Sequence, residues 1–283
     1  MSKFVNNCKN AHRYGQRFFN HLLTKHLFTT LVILAFVTGL VYWAVSRAPA
    51  APETPPDWVW ANQIGGTGAD AARAVATDSA GNIYVTGSFE GTDVDFDPGS
   101  GETLLTSAGG TDIFVAKYDS NGDLDLTFTP FPIGGTQDDS GNGIAFDPSG
   151  SGSIYITGSF NSFGGTVDFD PGPGTTGLIS TLGSADIFVA KYDSTGALLF
   201  AKRNGGSDLD AGNAVTFDAS YIYITGFFTR NGNDATFCPG EGTQAIIPSD
   251  TTSRDIFTAI YDNTTYDCLG SIIAASTISA SND

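Results

Sequence analysis

The sequence predicts an all-β protein. Three four-stranded, β-propeller-type blades form an open or incomplete propeller behind an N-terminal transmembrane helix. Three observations predict it. One set of segments is written three times in the same order, its strand-like stretches are apolar on both faces, and an uncharged run near the N-terminus is about as long as a bilayer is thick.

The chain opens with a basic tail, residues 1–26, carrying Lys3, Lys9, Arg13, Arg17 and Lys25. Residues 27–45, "LFTTLVILAFVTGLVYWAV", hold no charge. As a helix they reach about 28 Å, close to the thickness of a bilayer core. Tyr42 and Trp43 stand at the far end, where interfacial aromatics gather, and the basic flank holds the tail in the cytoplasm. This reads as an uncleaved signal anchor that sends the rest of the chain outward. The competing reading is a signal peptide cut after Ala50, at Ala48-Pro49-Ala50, which makes the protein secreted. Residues 46–57, "SRAPAAPETPPD", are a Pro-rich, extended linker.

From residue 58 the chain repeats itself, in units of about 58–125, 126–197 and 198–283. "NIYVTGSF" at Asn82–Phe89 returns as "SIYITGSF" at Ser153–Phe160 and "YIYITGFF" at Tyr221–Phe228. "DIFVAKYD" stands at Asp112–Asp119 and Asp186–Asp193, then as "DIFTAIYD" at Asp255–Asp262. A Gly pair recurs at Gly65–Gly66, Gly134–Gly135 and Gly205–Gly206.

Each unit predicts four strands. The first is Ala72–Thr77, with counterparts Gly143–Phe146 and Asn213–Phe217. The turn "DSAGN" at Asp78–Asn82 leads to the second, Ile83–Phe89, because Asp, Gly and Asn suit tight hairpins. A long excursion carries "VDFDPG" at Val94–Gly99 and Val167–Gly172, and "ATFCPG" at Ala235–Gly240. The third strand is Ile113–Tyr118. The fourth, leading into the Gly pair, is Val59–Ile64, Leu126–Ile133 or Leu198–Arg203. In the third strand Ile113 and Val115 point one way, Phe114, Ala116 and Tyr118 the other. A strand apolar on both faces belongs to a sheet covered on both sides, as in stacked propeller blades. A β-sandwich accounts for the long repeat less well.

The ordered set W…IGG…D…NxYVTGSF…VDFDPG…GGxDIFVAKYDsxG resembles the bacterial β-propeller repeat known as SBBP, over Trp58 to about Leu269. Its "DxxGNxYVTG" core is also similar to NHL-type repeats. The resemblance implies a propeller fold in an exported or surface-attached protein acting as an interaction module, and no defined activity. Closed propellers have about four to eight blades, and this chain supplies three. The third unit is degenerate, with "NGG" for "IGG" and Ile260 in place of Lys. The expectation is an arc that is cut short or that closes by self-association with another copy.

Composition narrows the chemistry. Six of the 13 Lys and Arg lie in residues 1–57, with only Glu53 and Asp57 among the 30 acids. The repeat region is therefore strongly acidic and repels nucleic acid and anionic lipid. His12, His21 and His26 are the only histidines, so the repeats have no His triad, His zinc site or His base. Calcium ligands are sought in Asp93, Asp95, Asp97, Asp168 and Asp170, because calcium takes six to eight oxygens. "DSNGDLD" at Asp119–Asp125 is a fainter candidate, with Leu124 where a sharp-turn Gly belongs. The alternative is turn chemistry, an Asp-Pro-Gly turn behind an inward Phe. Asp78, Asp147 and Asp218, and Asp112, Asp186 and Asp255, recur once per unit and suit backbone capping. The acid pairs Asp138/Asp139 and Asp208/Asp210 keep open a carboxylate-dependent, carbohydrate-active enzyme. No catalytic residue is assigned. Cys238 and Cys268 form one disulfide if exported, or remain two buried thiols. The function expected is an exported binding or structural module for a protein or glycan ligand, with a calcium-dependent adhesion module as an alternative.

Overall fold

The computed structural model describes residues 59–149, 152–163, 165–181, 183–229, 235–237, 244–246 and 254–267. The expected tail, membrane helix and linker lie outside these residues, as do Cys238 and Cys268. Among the described residues every regular element is a strand, and no helix is long and apolar enough to cross a membrane.

Blade 1 starts with β1 (Ala71–Thr77) and β2 (Ile83–Phe89). A short ribbon of β3 (Val94–Asp95) and β4 (Leu104–Leu105) follows, then β5 (Asp112–Tyr118) and β6 (Phe131–Ile133). Blade 2 repeats the plan with β7 (Ser140–Asp147), β8 (Ser153–Phe160), the ribbon β9 (Val167–Asp168) and β10 (Gly177–Leu178), β11 (Asp186–Asp193) and β12 (Leu198–Asn204). Blade 3 has β13 (Ala211–Phe217), β14 (Tyr221–Thr229), the ribbon β15 (Ala235–Phe237) and β16 (Gln244–Ile246), and β17 (Arg254–Asp262). The main sheets run β1-β2-β5-β6, β7-β8-β11-β12 and β13-β14-β17, antiparallel throughout. Each is a meander once its ribbon is set aside. Every first strand carries an irregularity at the same place, between Ala72 and Ala74, Gly141 and Gly143, Gly212 and Ala214.

The sheets stack face to face. β7 packs on β1 and β2, and β13 packs on β7 and β8. The third strand is therefore covered on both sides, and all seven residues of β5 are buried. Ile113 and Val115 share a core with Ile144 and Ile154 of blade 2. Ile187 and Val189 share one with Val215 and Ile222 of blade 3. Each such side chain contributes roughly 1.5–3 kcal/mol by leaving water, so the blades cohere mainly through these junctions.

Two expected strands differ from the structure. Val59–Ile64 forms no strand; only Gly65 bridges to Asp95. The outer edge of β5 is already occupied by β6, through Ile113 opposite Ile133 and Val115 opposite Phe131. Residues 59–64 lie instead against the turn after β5, where the Trp60 indole donates to the Ser120 carbonyl at 3.0 Å and the Asn62 amide to Gly122 at 2.8 Å. The expected strand Leu126–Ile133 shortens to Phe131–Ile133. Asp125 accepts the Thr127 N–H at 2.9 Å and turns the chain, and Pro130 and Pro132 have no N–H to give a ladder.

Candidate functional site

A carboxylate clip recurs where each blade begins. Four residues after the second Gly of each pair stands an Asp: Asp70 after Gly66, Asp139 after Gly135, Asp210 after Gly206. One carboxylate oxygen accepts the Gly N–H, at 2.7, 2.8 and 2.6 Å. The other accepts an N–H at the end of the second strand: Glu90 at 3.3 Å, Asn161 at 2.7 Å, Thr229 at 2.8 Å. The side chain thus ties the Gly loop to its own blade.

At the two junctions the preceding blade adds a second carboxyl, Asp112 near Asp139 and Asp186 near Asp210. The Asp139 N–H donates to the Thr111 carbonyl at 2.6 Å, and the Asp210 N–H to Ala185 at 2.9 Å. Burial pushes Asp139 and Asp210 up to about 7, with the neighbouring carboxyls adding to the shift. Burial likewise raises Asp112 and Asp186 to about 6. Asp112 Oδ2 accepts the Ala108 N–H at 2.8 Å, while its buried Oδ1 has no partner. Asp186 Oδ2 accepts the Thr181 N–H at 2.9 Å and pairs with Arg203 at 2.7 Å, and its Oδ1 is also unpartnered.

The same loops line a cleft of about 600 Å³ at one end of the first strands. Asp70, Asp138 and Asp139 contribute carboxyls, Ser88, Ser140, Ser159, Asn161 and Ser184 contribute hydroxyl and amide groups, and Arg73 is the one cation among these lining residues. Asp70 and Asp138 are exposed and Asp139 is buried. The cleft is suited to holding a positively charged or hydroxyl-rich group. The raised acids Asp139 and Asp210 have both oxygens committed to backbone N–H groups, and the arrangement occurs twice.

Residues 59–88 match the family described as SBBP, Beta-propeller repeat. The chain is also 27% identical over 244 residues to the Uncharacterized WD repeat-containing protein L264 of Acanthamoeba polyphaga mimivirus. That match takes in 76% of this chain and 16% of the relative, so the chain spans a small part of the relative's length. This is a repeat protein of the β-propeller type. The matched stretch covers only the first propeller repeat as far as β2, and the second and third are recognised by their matching sheets, ribbons and clips.

Within the propeller repeats, the calcium candidates take turn positions. Asp95 Oδ1 accepts the Asp97 and Thr103 N–H groups, each at 2.9 Å, and Asp168 Oδ1 does the same for Asp170 and Thr176 at 3.0 and 2.8 Å. Asp97 and Asp170 accept the N–H of Gly99 and Gly172, both at 2.8 Å. Asp93 adopts φ 57, a left-handed value that Asp tolerates better than most. Asp119 accepts the N–H groups of Asn121 and Asp123 at 2.8 and 3.0 Å. Among the described residues no three His, Cys, Asp or Glu side chains come together as a metal cluster.

The ribbon's apolar partner is Phe96, buried edge-on to Phe89 with ring centres 5.4 Å apart. Phe169 repeats this on Phe160 at 5.4 Å, and Phe237 lies edge-on to Phe228 at 6.3 Å. The carbonyls of Phe96 and Phe169 accept the hydroxyls of Tyr118 and Tyr192, at 3.0 and 2.9 Å. The recurrent Asp78, Asp147 and Asp218 cap hairpins, accepting the N–H of Ala80, Ser149 and Ser220. Sequence reasoning missed the clip acids Asp70, Asp139 and Asp210 as a set. Their fixed spacing from the Gly pair was the available signal.

Proposed function

We propose that this propeller-repeat protein is a membrane-anchored, extracytoplasmic binding module. Its anchor is residues 27–45, and its cleft takes a cationic group of a protein partner. The cleft carries this reading: two exposed carboxylates, Asp70 and Asp138, line it beside serine hydroxyls, and Arg73 is the one cation among its lining residues. The acidic repeat region favours a basic partner over nucleic acid, and steers it at a rate that falls with salt. Anchoring is supported by the length of the uncharged run and the basic flank.

Calorimetric titration of the full chain in detergent with an arginine-rich hexapeptide tests the cleft. Binding that weakens in salt, and weakens again in Asp70→Asn/Asp138→Asn, is the expected result. Equal affinity in native and variant chains overturns it. A neutral oligosaccharide that binds in place of the peptide favours a glycan ligand instead.

A further inference from the structure

The two junctions share a key and a slot. In blade 1 the Thr86 hydroxyl donates to the Phe114 carbonyl at 2.8 Å, and in blade 2 the Thr157 hydroxyl donates to Phe188 at 2.6 Å. Each fixed hydroxyl sits against a Gly of the next blade, Gly141 or Gly212. A Cβ built on either Gly overlaps the Thr oxygen. Each junction also stacks a Tyr of one blade on a Phe of the next: Tyr84 on Phe146 at 5.2 Å, and Tyr155 on Phe217 at 5.1 Å. The third common element is the buried Ile113 or Ile187. Across the blade 2–3 junction, the Asn142 amide donates to the Gly212 carbonyl at 2.9 Å.

The outer face of blade 3 keeps most of the giving parts, with Thr258 standing where Val115 and Val189 stand. Thr225 donates to Phe257 at 2.7 Å, as its counterparts do. Tyr223 stands where Tyr84 and Tyr155 stand, Asn213 where Asn142 stands, and Ile256 where Ile113 and Ile187 stand. Ile256 is 57% exposed, whereas Ile113 and Ile187 are 0% exposed. Asn213 is exposed, and Thr225 and Tyr223 are only partly covered.

The outer face of blade 1 has lost the receiving parts. Ala72 occupies the Gly slot, paired with Gly87 as Gly141 is with Gly158 and Gly212 with Gly226. Thr77 occupies the position of Phe146 and Phe217, paired with Ile83 as they are with Ile154 and Ile222. Only Val75, 62% exposed, keeps the apolar character of Ile144 and Val215.

We infer that the stack is directional. Blade 3 is the growing face and blade 1 is its cap, so the occupant of blade 3 is a propeller-type blade other than blade 1, with Gly and Phe where blade 2 has Gly141 and Phe146. A second copy of this chain does not fit, because its blade 1 offers a methyl at Ala72 and no ring at Thr77. Its other first strands are covered by their own neighbours. The inference goes beyond the cleft and uses different faces of the sheets. Its commitment to one occupant rests on continuity with the two internal junctions.

Light-scattering mass of the full chain in detergent tests it, with the Ala72→Gly/Thr77→Phe variant as the probe. The native chain is expected to show no association that Ile256→Asp removes. The double variant is expected to associate head to tail, and adding Ile256→Asp returns it to the native mass. Native association that Ile256→Asp abolishes overturns the cap. A folded double variant that stays at the native mass, or associates regardless of Ile256→Asp, overturns the receiving face. Should the double variant melt early, Ala72→Gly alone is read by the same criteria. Peptide binding in the cleft is measured in parallel, so failure of one reading leaves the other judged separately.

Discussion

The junction between blades 1 and 2 and the junction between blades 2 and 3 are built to one plan and charged differently. Both bury an Ile, stack a Tyr on a Phe, and enclose two carboxyls. Only the second adds a cation: Arg203 reaches Asp186 at 2.7 Å, with the carboxylate fully buried. Among the described residues, Asp112 in the first has no such ion pair. A lysine difference runs alongside. Lys117 pairs with Asp125 at 2.7 Å, whereas Lys191 faces the ring of Tyr155 at 4.7 Å and burial holds it below the usual ammonium range. The apolar plan is common to both junctions, and the ionic detail is local to each. Cohesion therefore resides in the shared part, while pH and salt response resides in the part that differs.

The largest test of that division removes the shared apolar anchor. Ile113→Ala and Ile187→Ala should each cost about 2–5 kcal/mol of stability, read by urea unfolding. A large inequality between the two breaks the equivalence of the junctions. Next, Arg203→Leu leaves Asp186 buried without its cation and should cost about 1–3 kcal/mol at pH 8. The loss should shrink at pH 5, as Asp186 takes up a proton. A pH-independent loss would show that Arg203 acts through packing alone.

Filling the slot with a methyl comes third. Gly141→Ala and Gly212→Ala should each cost about 1–3 kcal/mol by overpacking, read as a lower melting temperature.

The pH profile of the native chain sharpens the ionic half of the comparison. Asp112 and Asp139 hold protons to about 6 and 7 in the folded state, against 3.8 ordinarily. The folded chain thus binds more protons than the unfolded one between these values, so stability falls as pH rises through 6 to 7. The melting temperature should be higher at pH 5 than at pH 8. Asp139→Asn should flatten that difference. Below about 4 the trend reverses, because Asp95, Asp119 and Asp218 are held below 3.8 by backbone N–H groups and lose those bonds on protonation. A melting temperature that rises steadily from pH 5 to pH 8 would contradict this account. The smallest effect concerns calcium. With Asp95, Asp97, Asp168 and Asp170 committed to turns, calcium and EDTA should give the same melting midpoint.

Much of this was legible in the sequence. The strand over Ile113–Tyr118 was recognised by its two apolar faces, and the structure buries both. Phe96 was read as an inward anchor followed by a Pro-Gly turn, and it is 1% exposed. Residues 59–64 were misread because apolar content alone does not reveal that β6 already occupies the edge of β5. The clip acids were overlooked for a related reason. Asp70, Asp139 and Asp210 share the same bonds, but Asp139 and Asp210 are buried and Asp70 is exposed. Burial depends on the neighbouring blade, which no local pattern encodes. Ala72 in place of Gly was visible as a letter, yet its meaning required the position of a Thr hydroxyl in the adjoining sheet.

The Thr–Gly contact bears on how such a chain is made in evolution. A single unit carries the Thr on one side of its sheet and the Gly on the other. Copying that unit in the gene therefore delivers both halves of a compatible joint at once, and each new copy arrives already fitted to the last. Lengthening needs no coordinated second mutation. Stopping it at one side takes only the loss of the receiving parts, as at Ala72 and Thr77.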